Sequence, residues 1–94
     1  MKVVWTSLAL ADLEQAREYI AADNPSAAAR IAERIEKALA ALSRHPELGR
    51  PGHLEGTREL VVTGTPFIIP YRVKAGRIEL LALIHSARRW PEDI

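Results

Sequence analysis

The chain has 94 residues, of which 48% are hydrophobic and 27% charged, with a formal net charge of +1 and no cysteine. This length allows one domain over residues 1–94 and no second one, and the composition excludes a disordered chain. Without cysteine there are neither disulfides nor thiolate metal sites, and no run approaches the roughly 20 apolar residues of a membrane span.

Lys2-Val-Val-Trp5 reads as a short strand of β-branched and aromatic residues. Asp12 and Glu14 break the apolar stretch that follows, so no secretory signal is expected and the chain reads as cytoplasmic. Thr6 or Ser7 offers an N-cap, and Ala9, Leu13, Ala16 and Ile20 repeat at helical spacing. Asp12, Glu14, Arg17 and Glu18 fall off that stripe, towards water. Asn24-Pro25 ends this helix and caps the next, with Pro25 at the first helical position. Ala28, Ile31, Ile35, Ala38 and Leu42 form the second stripe, and His45-Pro46 stops it. So short a link between the helices predicts an antiparallel hairpin.

Residues 46–56 hold two Pro and three Gly and read as a loop, of a length often tied to function. Thr57 to Thr63 is strand-like, and Gly64-Thr65-Pro66 turns the chain. Phe67 to Lys74 alternates as a strand, with Pro70 predicting a bulge or an N–H that would have faced away. Ala75-Gly76 fits a two-residue hairpin turn. Arg77 to Ser86 is apolar on both faces, as one central strand would be. The expected class is α+β, in the order β-α-α-β-β-β, with an antiparallel helix hairpin on a small antiparallel sheet.

Candidate chemistry is sparse. Gly-rich phosphate loops, nucleophile elbows and HExxH are absent from the sequence, and His45, His53 and His85 lack metal-ligand spacing, so neither metal nor cofactor is expected. His85 follows the apolar run Leu80 to Ile84 and reads either as a strand-end histidine or as a proton donor near neutral pH. Arg58, Arg72 and Arg77 could converge on one sheet face and grip an anion, or be solvated partners of Glu59 and Glu79. Trp90 could be an anchor for a partner or a plug for the core. Residues 44–94 carry eight Lys/Arg against six Asp/Glu, a mild basic bias that permits an anionic partner.

Seven phrases occur in order: V-x-W-T at 3–6, A-x-x-D-L with Y-I at 9–20, N-P-x-A-A at 24–28, H-P-E-L-G-R at 45–50, G-T-R-E-L-V-V at 56–62, P-Y-R-V at 70–73 and H-S-A-R-R-W-P at 85–91. Together they resemble the RelE/ParE superfamily of toxins from type II toxin–antitoxin pairs, over nearly the whole chain, and the ending resembles the ParE-like group. The resemblance implies growth arrest, silenced by a cognate antitoxin that lays an amphipathic segment on the toxin. Its two functional classes are ParE-like inhibitors of DNA gyrase, which do no chemistry, and RelE-like nucleases, which cut ribosome-bound mRNA. A nuclease needs a base, an acid and cations. His85, Arg58 and Arg72 are the residues that could serve, but the clustered lysines and C-terminal tyrosine of the nucleases are missing, as is a strongly basic surface. Gyrase inhibition is therefore the expected activity and mRNA cleavage the alternative. Contact candidates for target or antitoxin are Arg58, Arg72, Arg77, Arg88, Arg89 and Trp90, with Leu8, Leu39 and Leu60 expected to be incompletely covered in a groove between hairpin and sheet.

Overall fold

In a computed structural model that describes residues 1–86, the chain runs β1 (Lys2–Trp5), α1 (Ser7–Asp23), α2 (Pro25–Arg44), β2 (Arg50–Pro51), β3 (Arg58–Val61), β4 (Phe67–Lys74), β5 (Arg77–Leu80) and β6 (Ile84–His85). Thr6 makes the first junction. Its Oγ1 accepts the Ala9 N–H at 3.3 Å, capping α1, and donates to the Leu80 carbonyl at 2.7 Å, tying that cap to the sheet. Asn24 Oδ1 accepts the Ala27 N–H at 3.1 Å, and Pro25 opens α2. The exposed Glu33–Lys37 pair closes to 3.4 Å, a contact worth a few tenths of a kcal/mol at most.

The strands lie in the order β1-β5-β4-β3-β2, with β6 also on β4. The sheet is antiparallel as expected, with one exception at its edge, where β1 runs parallel to β5. Hairpins give antiparallel neighbours, whereas a parallel pair needs a crossover; here everything from α1 to β4 separates the two strands. Pleating then sorts the side chains. Leu60, Val62, Phe67, Ile69, Tyr71, Ile78 and Leu80 are buried and cluster with Ala9, Ile35 and Leu42 of the helices. Both helices therefore cover one face and leave the other open.

Arg77 to Ser86 is two strands rather than one. β5 pairs with Tyr71–Lys74 of β4, and β6 pairs with Phe67 and Ile68. Between these ladders Ile69 and Pro70 oppose the three residues Leu81, Ala82 and Leu83, which is a bulge. The Pro70 carbonyl accepts the Leu81 N–H at 2.8 Å. A residue's N–H and C=O point the same way across a sheet, so the N–H that proline lacks would have faced this bulge. Asp12 takes up the slack: its Oδ2 accepts the Leu83 N–H at 3.1 Å. Asp12 is thus half-buried, a correction to its expected place in water, because the broken ladder leaves a donor within its reach.

At the other end of β4 the hairpin turn has φ 52° at Ala75 and 72° at Gly76. Positive φ at both central residues is the type I′ geometry that matches strand twist. Gly76 adopts it freely, whereas Ala75 does so against its Cβ.

Candidate functional site

The H-P-E-L-G-R phrase builds a latch. Tyr71 is fully buried; its hydroxyl donates to the Pro46 carbonyl at 2.7 Å and accepts the Gly49 N–H at 2.8 Å. A Cβ on Gly49 would meet Tyr71 Cε1 at 2.6 Å, so glycine is what lets the loop close on the ring. Burial pushes the Tyr71 hydroxyl pKa up, opposed by the Gly49 hydrogen bond and by the Arg58 charge. Arg58 donates from Nη1 to the carbonyls of Gly49 at 2.7 Å and Glu47 at 3.3 Å. The loop expected over 46–56 is therefore pinned at its start, and it contributes β2 to the sheet.

The expected convergence of Arg58, Arg72 and Arg77 does not occur. Arg58 lies opposite Tyr71 in the ladder, so it shares the helix-covered face, and Arg72, one residue on, shares the other. Arg72 and Arg77 do lie on one face, where Arg72 Nε donates to Glu79 Oε1 at 2.7 Å. That hydrogen bond, with the nearby cations, holds the Glu79 carboxyl below the usual carboxylate range despite some desolvation. Glu59 belongs to the same open face and pairs with Arg50 at 2.9 Å.

His85 is exposed at the end of β6, its ring edge-on to Phe67 at 5.9 Å between centroids. It borders an opening lined by Asp12, Gln15, Tyr19, Pro66 and Phe67. This adjoins a smaller apolar cavity of about 220 Å³ between the helix hairpin and the sheet, lined by Trp5, Leu13, Ile31, Ile35 and Leu39 among others. Ala16, Ile20, Phe67 and Leu83 line both, so the two form one cleft.

Leu39 is half-buried on the wall of that cleft, and Leu8 is exposed elsewhere, at the start of α1. Leu60 was expected to be incompletely covered but is buried at 4% exposure, because its register partner is Ile69 at the centre of the core. Arg88, Arg89 and Trp90 lie outside the described residues. Tyr19, at the cleft rim with 79% of its surface exposed, belongs to the Y-I of the second family phrase but was not expected as a site residue. Its one signal in the sequence is an aromatic ring a single position off the apolar stripe. Among the described residues no cluster of His, Asp and Glu could hold a metal, and no helix is long and apolar enough to cross a membrane.

Residues 3–90 match the family model for the ParE toxin of type II toxin–antitoxin systems. Y4kP of Sinorhizobium fredii, a protein assigned as a toxin, is 43% identical over 91 residues, covering 97% of this chain and 94% of its own. Toxin RelE2 of Caulobacter vibrioides is 42% identical over 87 residues, covering 93% and 97%. Among solved structures, one from the chromosomal ParDE toxin–antitoxin system of P. aeruginosa superposes with a TM-score of 0.81 at 28% identity, over 90% of this chain and 95% of that one.

Proposed function

The chain belongs to the ParE toxin family of type II toxin–antitoxin systems, and from that premise we propose that it arrests growth by binding and blocking DNA gyrase until a cognate antitoxin covers it. The carrying observation is the scatter of the groups a nuclease would need. His85 pairs with Phe67, and Arg72 lies five residues further along β4, roughly 17 Å away at ~3.3 Å per residue. Arg58 is on the opposite face from Arg72 and is already spent on loop carbonyls, while Arg72 is held by Glu79. An acid and a cation that assist one phosphate must both lie within hydrogen-bond reach of it. A grip on a protein needs no such convergence.

The antitoxin reading rests on the cleft between the helix hairpin and the sheet. Its apolar walls and the exposed Tyr19 at its rim suit the apolar face of an amphipathic helix. The P. aeruginosa neighbour comes from a toxin–antitoxin system, and an antitoxin bound here would raise the melting temperature by mass action. Both candidate targets would place the chain in the cytoplasm. The relative named RelE2 keeps mRNA cleavage as the second reading.

The deciding experiment compares the purified wild type in two assays, gyrase supercoiling and cleavage of ribosome-bound mRNA. Inhibited supercoiling with uncut mRNA is expected, and His85→Gln should remain toxic in cells. Cleavage in the ribosomal A site with intact supercoiling, lost in His85→Gln, would transfer the assignment to the nuclease class.

A further inference from the structure

The sheet register sets three cations side by side. Lys2 of β1 pairs with Arg77 of β5, and Arg77 pairs with Lys74 of β4. Neighbouring strands are about 4.8 Å apart, and like charges directly opposite one another destabilise a sheet. The nearby carboxylate, Glu79, is engaged by Arg72. Among the described residues Lys2, Lys74 and Arg77 make no ion pair of their own. Folding thus concentrates positive charge at the hairpin end of the open face.

Arg72 and Lys74 also rim a groove of about 530 Å³ whose apolar residues are Leu8, Leu54, Val73 and Leu81. Leu8, Leu54 and Val73 are 39%, 38% and 47% exposed. Two backbone hydrogen bonds close the loop that carries Leu54: the Gly52 N–H donates to the Thr57 carbonyl at 2.8 Å, and the Thr57 N–H to the Leu54 carbonyl at 3.1 Å. Glu55 is the one carboxylate among the described lining residues. This groove shares no residue with the cleft beside His85.

We propose that this groove and its cationic row are the surface that grips the target, and that they take an acidic protein segment carrying an aliphatic or aromatic anchor. The inference rests on the reading of the chain as a protein-binding toxin and adds where, and to what chemistry, it binds. Charge complementarity selects an anionic partner and steers its approach. The floor decides between protein and nucleic acid. Single-stranded nucleic acid stacks its bases on aromatic side chains, and this lining is aliphatic; an apolar groove instead receives the apolar anchors of a protein segment.

The test uses the full chain, freed from co-expressed antitoxin, as wild type, Lys74→Glu/Arg77→Glu and Leu54→Asp. All three substitutions are at exposed positions, and matching circular dichroism melts and antitoxin affinity report that the fold is kept. With DNA gyrase as probe, both variants should need at least ~10-fold more protein for half-inhibition of supercoiling. Wild-type binding should weaken with added salt more steeply than binding of the double charge variant. A labelled 20-nucleotide RNA and a DNA duplex serve as phosphate probes. Folded variants as potent as wild type would overturn the proposal, and so would RNA or DNA binding that the charge reversal abolishes. If the wild type leaves gyrase untouched, the gyrase reading fails separately. Growth arrest at matched expression then decides for the groove: retained toxicity in both variants sinks it, and lost toxicity with uncut mRNA supports it against another protein target.

Discussion

The two faces of this sheet are made of the same strands, one residue out of phase, and they do opposite work. The covered face presents Leu60, Phe67, Ile69, Tyr71, Ile78 and Leu80, all buried. The open face presents Glu59, Arg72, Lys74, Arg77 and Glu79, which meet water or one another. Apolar burial at about 25 cal/mol per Å² supplies the fold, whereas exposed ion pairs contribute little. Stability therefore resides on one face, and the other is free to carry charge.

The comparison breaks first if the covered face proves dispensable. Ile35→Ala and Leu83→Ala should each cost about 2 to 5 kcal/mol in urea unfolding, with Ile35 the larger because it is the more deeply buried, at 4% exposure against 7%. Midpoints within error of the wild type would show that the helix face or the bulge has been misplaced. A sharper probe is Tyr71→Phe, which keeps the ring and strands the Gly49 N–H and the Pro46 carbonyl, at about 1 to 3 kcal/mol. The Tyr71 hydroxyl is raised above its ordinary pKa near 10. Its contribution is thus complete below that value and lost as pH rises through the folded one. The wild type should lose stability in that alkaline window more steeply than Tyr71→Phe, and parallel curves would refute the latch.

Smaller effects belong to the open side. Ala75→Asn places a residue tolerant of positive φ in the type I′ turn and should gain up to about 1 kcal/mol. A lowered melting temperature would mean that the turn is not left-handed. Glu79→Gln should shift the urea midpoint at pH 7 only slightly, because the pair is partly exposed on its Arg72 side. Since the carboxyl pKa is depressed, whatever the pair adds is present above the ordinary carboxylate range and fades as pH falls through the folded value. A large loss at pH 7 would shift the weight of the fold to the wrong face.

What was legible in the sequence follows the same division. Both helix stripes, their caps at Thr6 and Asn24, and the hairpin at Ala75-Gly76 are local patterns, and local geometry honours them. Pro70 offered a bulge as one of two outcomes, because its missing N–H is a local fact, and the bulge is the one that occurs. Pairings across the sheet were not legible. Arg58 and Arg72 looked like neighbours on one face, but the turn that returns Val62 to Phe67 sets a register in which Arg58 meets Tyr71. One residue of slip reverses every side chain. The break in Arg77 to Ser86 was hidden for a related reason: residues apolar on both sides carry no alternation to lose. Tyr19 and Asp12 escaped because their surroundings come from β4 and the bulge, distant in sequence.

The parallel pairing of β1 with β5 also sets the order of events in synthesis. Each of its register pairs joins residues 75 positions apart, and contacts so distant in sequence carry a large loop-closure cost and form late. A ribosome adding about 5 to 20 residues per second needs roughly 4 to 15 seconds between making Lys2 and making Arg77. Over that interval the first strand has no partner. Its cation cannot join the row at the far hairpin, and the Leu80 carbonyl that receives Thr6 does not yet exist. The first strand of this fold waits on the fifth, and the sheet cannot close on β1 until Arg77 to Leu80 have been made.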